Sequence, residues 1–183
     1  MRCFVSVNLE DKPLINKIIK LQKDLVGMES GIKAVSAENL HYTLRFLGEI
    51  DQKTVNKAID LLKKISYNQF DIELNGLGVF PDMQMIRVIW VGSPSRGLVE
   101  LAGFVNSALG EIGKNNDSFL PHLTIARVKY MHDRSRLLSY VSANRNTVFG
   151  SFRVVEFNLM QSELKPEGPR YTAIKKFDLI NRI

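Results

Sequence analysis

Two stretches of this chain follow one pattern: His41-Tyr42-Thr43-Leu44 and His122-Leu123-Thr124-Ile125, each His, apolar, Thr, apolar. Only three histidines are present, so two of them open the motif. Side chains at i and i+2 of a strand point to the same face. Read as strands, the motifs therefore place His41 beside Thr43 and His122 beside Thr124. Tyr42, Leu44, Leu123 and Ile125 then turn the other way, into apolar packing. Each motif presents an imidazole and a hydroxyl on a rigid element, which holds reacting groups better than a loop does. A lone His on a strand is more often structural, and Thr is common in strands. The repetition is what calls for a chemical explanation.

The surrounding sequence alternates strands and helices. Residues 2–9 read as a strand. Residues 12–26 place Leu14, Ile18, Leu21 and Leu25 at helical spacing, with Asp11 as N-cap and Gly27 as stop. An extended piece at 32–35 precedes the first motif strand, 41–47. A helix over 52–65 follows, capped by Asp51. Strands are expected at 70–79 and 85–91, joined by a turn holding Pro81 and Asp82. The second half repeats the parts: a helix over 97–109, a polar loop at 114–118, the motif strand 122–128, and a helix over 133–143. Strands at 149–160 and 170–180 close the chain, around a loop with Pro166, Gly168 and Pro169. The segments 40–47 and 121–128 align as a faint internal repeat. Beyond them the repetition is one of element order.

Bulk properties narrow the classes. With 183 residues the chain makes one domain, or two small lobes on one core. Its apolar fraction of 45% and charged fraction of 24% are those of an ordinary globular protein. Cys3 is the sole cysteine, so no internal disulfide forms, and in a strand it reads as a small buried apolar side chain. A single cysteine fits a reducing compartment. No basic segment leads into a long apolar one at the N-terminus, and no apolar run reaches the roughly 20 residues of a membrane helix. The expected location is cytoplasmic, with no membrane partner. A net charge of +6 and a pI near 9.5 favour anionic partners such as nucleic acid or phosphate esters. Lys17, Lys20 and Lys23, however, fall on the polar side of a helix and simply solvate it.

Two imidazoles around one phosphate form an acid–base pair. Their ordinary pKa of about 6.5 lets one be neutral and the other protonated near neutral pH. The neutral ring takes a proton from the nucleophile, and the protonated ring gives one to the leaving oxygen. Each role is worth about 10²–10⁴-fold in rate. Thr43 and Thr124 would donate to the non-bridging oxygens, where charge builds up. The scheme needs no metal and no cofactor. Three separated histidines and one cysteine lack clustered zinc-ligand spacing, and no P-loop motif occurs.

The segments 39–49 and 121–128 resemble the 2H phosphoesterase superfamily, in particular its RNA 2′,3′-cyclic phosphodiesterases, also called 2′–5′ RNA ligases. The opening Phe4–Leu9 segment, the turn at 79–81 and the strand at 87–92 extend the likeness over the whole chain. The resemblance implies an α+β fold: two pseudo-symmetric αβ lobes in a single domain over 1–183. Each lobe would be an antiparallel sheet with helices on its outer face, the two enclosing a central cleft. It implies His41 as proton donor and His122 as proton acceptor, in hydrolysis of a 2′,3′-cyclic phosphate to a 2′-phosphomonoester. The partner would be RNA ending in a cyclic phosphate, or a cyclic nucleotide, and the protein a monomer. On the residues alone the two roles are interchangeable.

Other residues are candidates for the phosphate. Arg45 lies four past His41 and shares its face by parity. Arg127 lies five past His122 and needs a bulge or strand end to reach the cleft, although the family often carries a basic residue there. Phe80 is the aromatic best placed to stack on a base; Tyr42 and Phe46 are expected in the core, Tyr171 is a further candidate, and His132 is read as surface. Two rival readings use the same chain: 2′–5′ ligation with a 5′-hydroxyl in place of water, and a non-catalytic RNA-binding module. The latter has no use for two imidazole–hydroxyl pairs.

Overall fold

The computed structural model describes residues 1–113, 119–166 and 168–181. The elements in order are β1 (Arg2–Asn8), α1 (Lys12–Met28), β2 (Ile32–Ala34), β3 (His41–Glu49), α2 (Gln52–Leu62), β4 (Phe70–Asn75) and β5 (Leu77–Pro81). They continue with β6 (Ile86–Gly92), α3 (Arg96–Leu109), β7 (His122–Val128), α4 (Arg134–Ala143), β8 (Val148–Val154), β9 (Glu156–Lys165) and β10 (Gly168–Asp178). Two four-stranded antiparallel sheets result, ordered β10-β9-β1-β3 and β2-β7-β6-β5, with a separate β4–β8 ribbon. Each sheet holds one motif strand. The α+β class, with sheets and covering helices, is as expected.

The helices are bounded by local chemistry. Asp11 accepts from the Leu14 amide at 2.8 Å and Asp51 from the Thr54 amide at 2.8 Å, each satisfying a donor left free in a first helical turn. The buried stripe Leu14, Ile18, Leu21 and Leu25 seats α1 on β2 and β7. The stripe Leu98, Leu101, Val105 and Leu109 seats α3 against β3, with α2 alongside. One hydrophobic cluster runs through both sheets, so the lobes share a core. β3 and β7 meet with Cα atoms within 8 Å, which brings the two motifs together at the junction.

Several boundaries differ from the sequence expectation; α2 ends at Leu62 rather than 65, and β3 runs on to Glu49. Gly27 does not stop α1, which runs on to Met28. The strand expected over 70–79 breaks at Gly76, whose φ of 78° suits glycine and where a Cβ would lie 2.3 Å from the Arg145 carbonyl oxygen. Its halves join different sheets. The segment 149–160 likewise divides between β8 and β9, and β9 continues to Lys165. Residues 161–165 lack an apolar alternation because they extend past the core. The loop expected at 114–118 lies outside the described residues.

Candidate active site

Both motif strands begin in strict alternation. His41 and Thr43 are partly exposed while Tyr42 and Leu44 are buried; His122 and Thr124 are partly exposed while Leu123 and Ile125 are buried. Both then change phase at the same place. The β1–β3 register passes from Ser6–Thr43 to Val5–Arg45, leaving Leu44 unpaired. The β6–β7 register passes from Trp90–Thr124 to Ile89–Ala126, leaving Ile125 unpaired. Such a bulge moves the following side chains to the opposite face. Arg45 and Ala126 therefore turn inward, and Phe46 and Arg127 reach the cleft.

The parity expectation for Arg45 is thereby corrected. It is 1% exposed and does not line the cleft. Its guanidinium donates to the Asn106 carbonyl (2.9 Å) and to Asn106 Oδ1 (3.2 Å), and to the Gly110 carbonyl (2.6 Å). It thus serves carbonyls at the end of α3, where a cation also suits the helix dipole. Arg127 takes the cleft position instead. Phe46, expected in the core, is 61% exposed there. The unpaired Ile125 offers its carbonyl to the Val35 amide (2.9 Å) and to buried Gln22 Nε2 (2.8 Å), which anchors the second bulge to α1.

The histidines are held alike. His41 Nδ1 lies 2.6 Å from the Asn39 carbonyl oxygen, and His122 Nδ1 lies 2.8 Å from that of Leu120. A carbonyl only accepts, so each Nδ1 carries hydrogen and each Nε2 is left for proton transfer. His41 Nε2 is 2.9 Å from Thr43 Oγ1. Asn39 is itself tied down, its Nδ2 donating to the Pro169 carbonyl at 2.8 Å. Aromatic rings wall both imidazoles. Phe4 and Tyr171 stand 5.0 and 5.2 Å from His41. Phe80 and Trp90 stand 5.0 and 6.4 Å from His122. Trp90 fits because residue 78 is glycine; a Cβ there would lie 2.1 Å from the indole.

Burial pushes the His41 pKa below the ordinary histidine range. The Asn39 hydrogen bond opposes that shift, and the charges of Arg127 and His122 add to it. An anion between the rings would reverse the electrostatic part. Beneath the site, Tyr42 Oη donates to Ser93 Oγ at 2.6 Å, and Ser93 Oγ donates to the Gly92 carbonyl at 2.8 Å. Gly92 is the register partner of His122. A buried hydrogen-bond chain therefore links the residue after His41 to the strand beside His122. Burial raises the Tyr42 pKa, so the phenol remains a donor.

The motifs open onto a cleft of about 2100 Å³ lined from both sheets. Arg2, Lys33, Arg87, Arg127, Lys129 and Arg170 line it, against two carboxylates, Glu38 and Glu49. The field there favours anions. Phe80 is in the lining, as is Tyr171, while Tyr42 is core. His132 is exposed and binds Glu29. Among the described residues no group of three or more His, Cys, Asp or Glu is placed to hold a metal ion, and no helix is long and apolar enough to cross a membrane. The sequence reading missed Phe46 in the cleft, Trp90 behind His122 and the Tyr42–Ser93 link. A signal for the bulges was there: unbroken parity would put Leu47, Ala126 and Val128 on the polar faces.

Residues 9–90 match the family model described as LigT like phosphoesterase. The RNA 2′,3′-cyclic phosphodiesterase of Methanocaldococcus jannaschii is 34% identical over 178 residues, covering 97% of this chain and all of that protein. The crystal structure of TT0787 of Thermus thermophilus superposes with a TM-score of 0.81 at 31% identity, covering 97% of each chain. Escherichia coli LigT complexed with 3′-AMP gives a TM-score of 0.77 at 28% identity, again over 97% of each. The chain belongs to the LigT-like phosphoesterase family.

Two outcomes follow from this geometry. Arg45→Ala leaves the Gly110 carbonyl without its donor, at a cost of about 1–3 kcal/mol when buried, and opens a void beside α3, while the Asn106 carbonyl keeps the Gly110 amide at 3.1 Å. Urea unfolding is expected to show a loss of about 2–4 kcal/mol; a change under about 0.5 kcal/mol would refute the clamp. In an imidazole ¹⁵N NMR titration, His41 is expected to protonate below the ordinary histidine range in the free protein. Its midpoint should move upward when inorganic phosphate saturates the cleft; an unmoved or lowered midpoint would show that no anion binds beside it.

Proposed function

We propose that this protein hydrolyses 2′,3′-cyclic phosphate ends of RNA to 2′-phosphomonoesters by two-histidine acid–base catalysis, without a metal. The observation that carries the reading is the matched pair of Nδ1–carbonyl hydrogen bonds, which commits two Nε2 atoms to one basic cleft. The relative named RNA 2′,3′-cyclic phosphodiesterase and the LigT complex with 3′-AMP support this choice of substrate.

In the reaction, His122 Nε2 accepts a proton from water as the water oxygen bonds to phosphorus. The P–O3′ bond breaks, and His41 Nε2–H protonates the departing O3′. One water is consumed, and proton exchange with solvent resets both rings. Thr43 and Thr124 donate to the non-bridging oxygens, and Arg127 neutralises charge there. Phe80 offers an aromatic surface to the terminal base. Burial keeps free His41 weakly basic, and the substrate's negative charge restores the proton that the acid role needs.

The test is ³¹P NMR of a short RNA ending in 2′,3′-cyclic phosphate, with chelator present. The wild type is expected to yield the 2′-phosphate, and His41→Ala and His122→Ala each to slow it by about 10²-fold or more. A 3′-phosphate product, loss of activity with chelator, or full activity in either variant would overturn the reading.

A further inference from the structure

The second sheet carries more positive charge than one phosphate can use. Lys33 on β2 lies directly opposite Arg127 on β7, so the two side chains share the cleft face about 5 Å apart. Just past the end of β7, the Lys129 carbonyl accepts from Arg87 Nη1 at 3.4 Å, which fixes that arginine at the strand end. Lys33, Arg87 and Lys129 all line the cleft and all are exposed. Among the described residues, no carboxylate lies within ion-pair distance of these three or of Arg127. Arg2, Arg96, Arg153 and Lys176 do have acidic partners. Like charges directly opposite one another destabilise a sheet, so an uncompensated row of this kind is costly until an anion arrives.

Distance separates the far end of this row from the reacting centre. Strand rise places Lys129 roughly 20 Å from His122 along the line of β7, further than one phosphate group spans. The intervening positions are filled by Thr124 and Arg127, assigned above to the reacting phosphate. Lys33 flanks Arg127 at the inner end of the row, and Arg87 and Lys129 lie beyond it, free for other phosphates of the same molecule.

We infer that Lys33, Arg87 and Lys129 form a subsite for the backbone phosphates upstream of the terminal cyclic one. The preferred substrate is then an RNA chain of several nucleotides laid along the second sheet, with its cyclic end at the histidines, rather than a cyclic mononucleotide. The inference rests on the phosphodiesterase reading above.

Two measurements on the wild type and the triple variant Lys33→Gln, Arg87→Gln, Lys129→Gln test it. The first compares kcat/KM for a five-nucleotide RNA ending in 2′,3′-cyclic phosphate with that for a 2′,3′-cyclic mononucleotide. The wild type is expected to favour the longer substrate by about 10-fold or more, and the variant to lose most of that preference. A wild-type ratio near one, or a ratio kept in the variant, would overturn the subsite. The second needs no turnover: binding of a five-nucleotide RNA ending in 2′-phosphate, followed across salt concentrations by fluorescence anisotropy. The slope of log K against log salt should become shallower in the variant by about 0.7 for each phosphate no longer neutralised. An unchanged slope would overturn the subsite. If the wild type turns over neither substrate, the phosphodiesterase reading fails, and the salt slopes still decide whether the outer charges hold RNA phosphates.

Discussion

The site depends on one repeated interaction: an imidazole Nδ1–H donating to the carbonyl two residues before it. It occurs at His41 and again at His122. A ring free to turn would offer either nitrogen to the cleft in either tautomer. The carbonyl fixes both choices with a backbone group that belongs to the same strand entry, so the geometry survives as long as the strand does. The surroundings reinforce it. Asn39, whose carbonyl serves His41, is anchored to Pro169, and aromatic rings close in on both imidazoles.

The second constraint is the pair of bulges. A regular strand can present only every other residue to the cleft. By skipping Leu44 and Ile125, β3 and β7 switch faces and present Phe46 and Arg127 five residues after their histidines. The two lobes use the same backbone device for different ends: an apolar aromatic on one side, a cation on the other. The inward-turned residues differ too. Ala126 fits the core without help, whereas Arg45 requires the carbonyls of α3 around its guanidinium.

The motif strands are legible in the sequence because their local alternation is strict. The bounds expected for the second, 122–128, are those of β7, and the helices with good N-caps start within a residue of where periodicity puts them. Expectation and structure part where tertiary pairing overrides local pattern. Gly76 divides one apparent strand between two sheets. Beyond Gln161, polar residues extend β9 outside the core, where alternation has nothing to report. Arg45 defeats parity for a related reason: parity counts residues, and a bulge adds one, announced only by the apolar Leu47 that unbroken parity would leave on the polar face. Phe46 departs from expectation because an aromatic in a strand usually packs inward. The Tyr42–Ser93 link joins residues distant in sequence, and no local pattern announces it.

The central claim is that one phosphate is shared by both histidines. The most direct measurement is a crystal structure with a 2′-phosphomonoester nucleotide bound. The account predicts phosphate oxygens within hydrogen-bond distance of Nε2 of both His41 and His122, with the hydroxyls of Thr43 and Thr124 on the remaining oxygens. A phosphate held by one histidine alone, or seated elsewhere in the cleft, would contradict it.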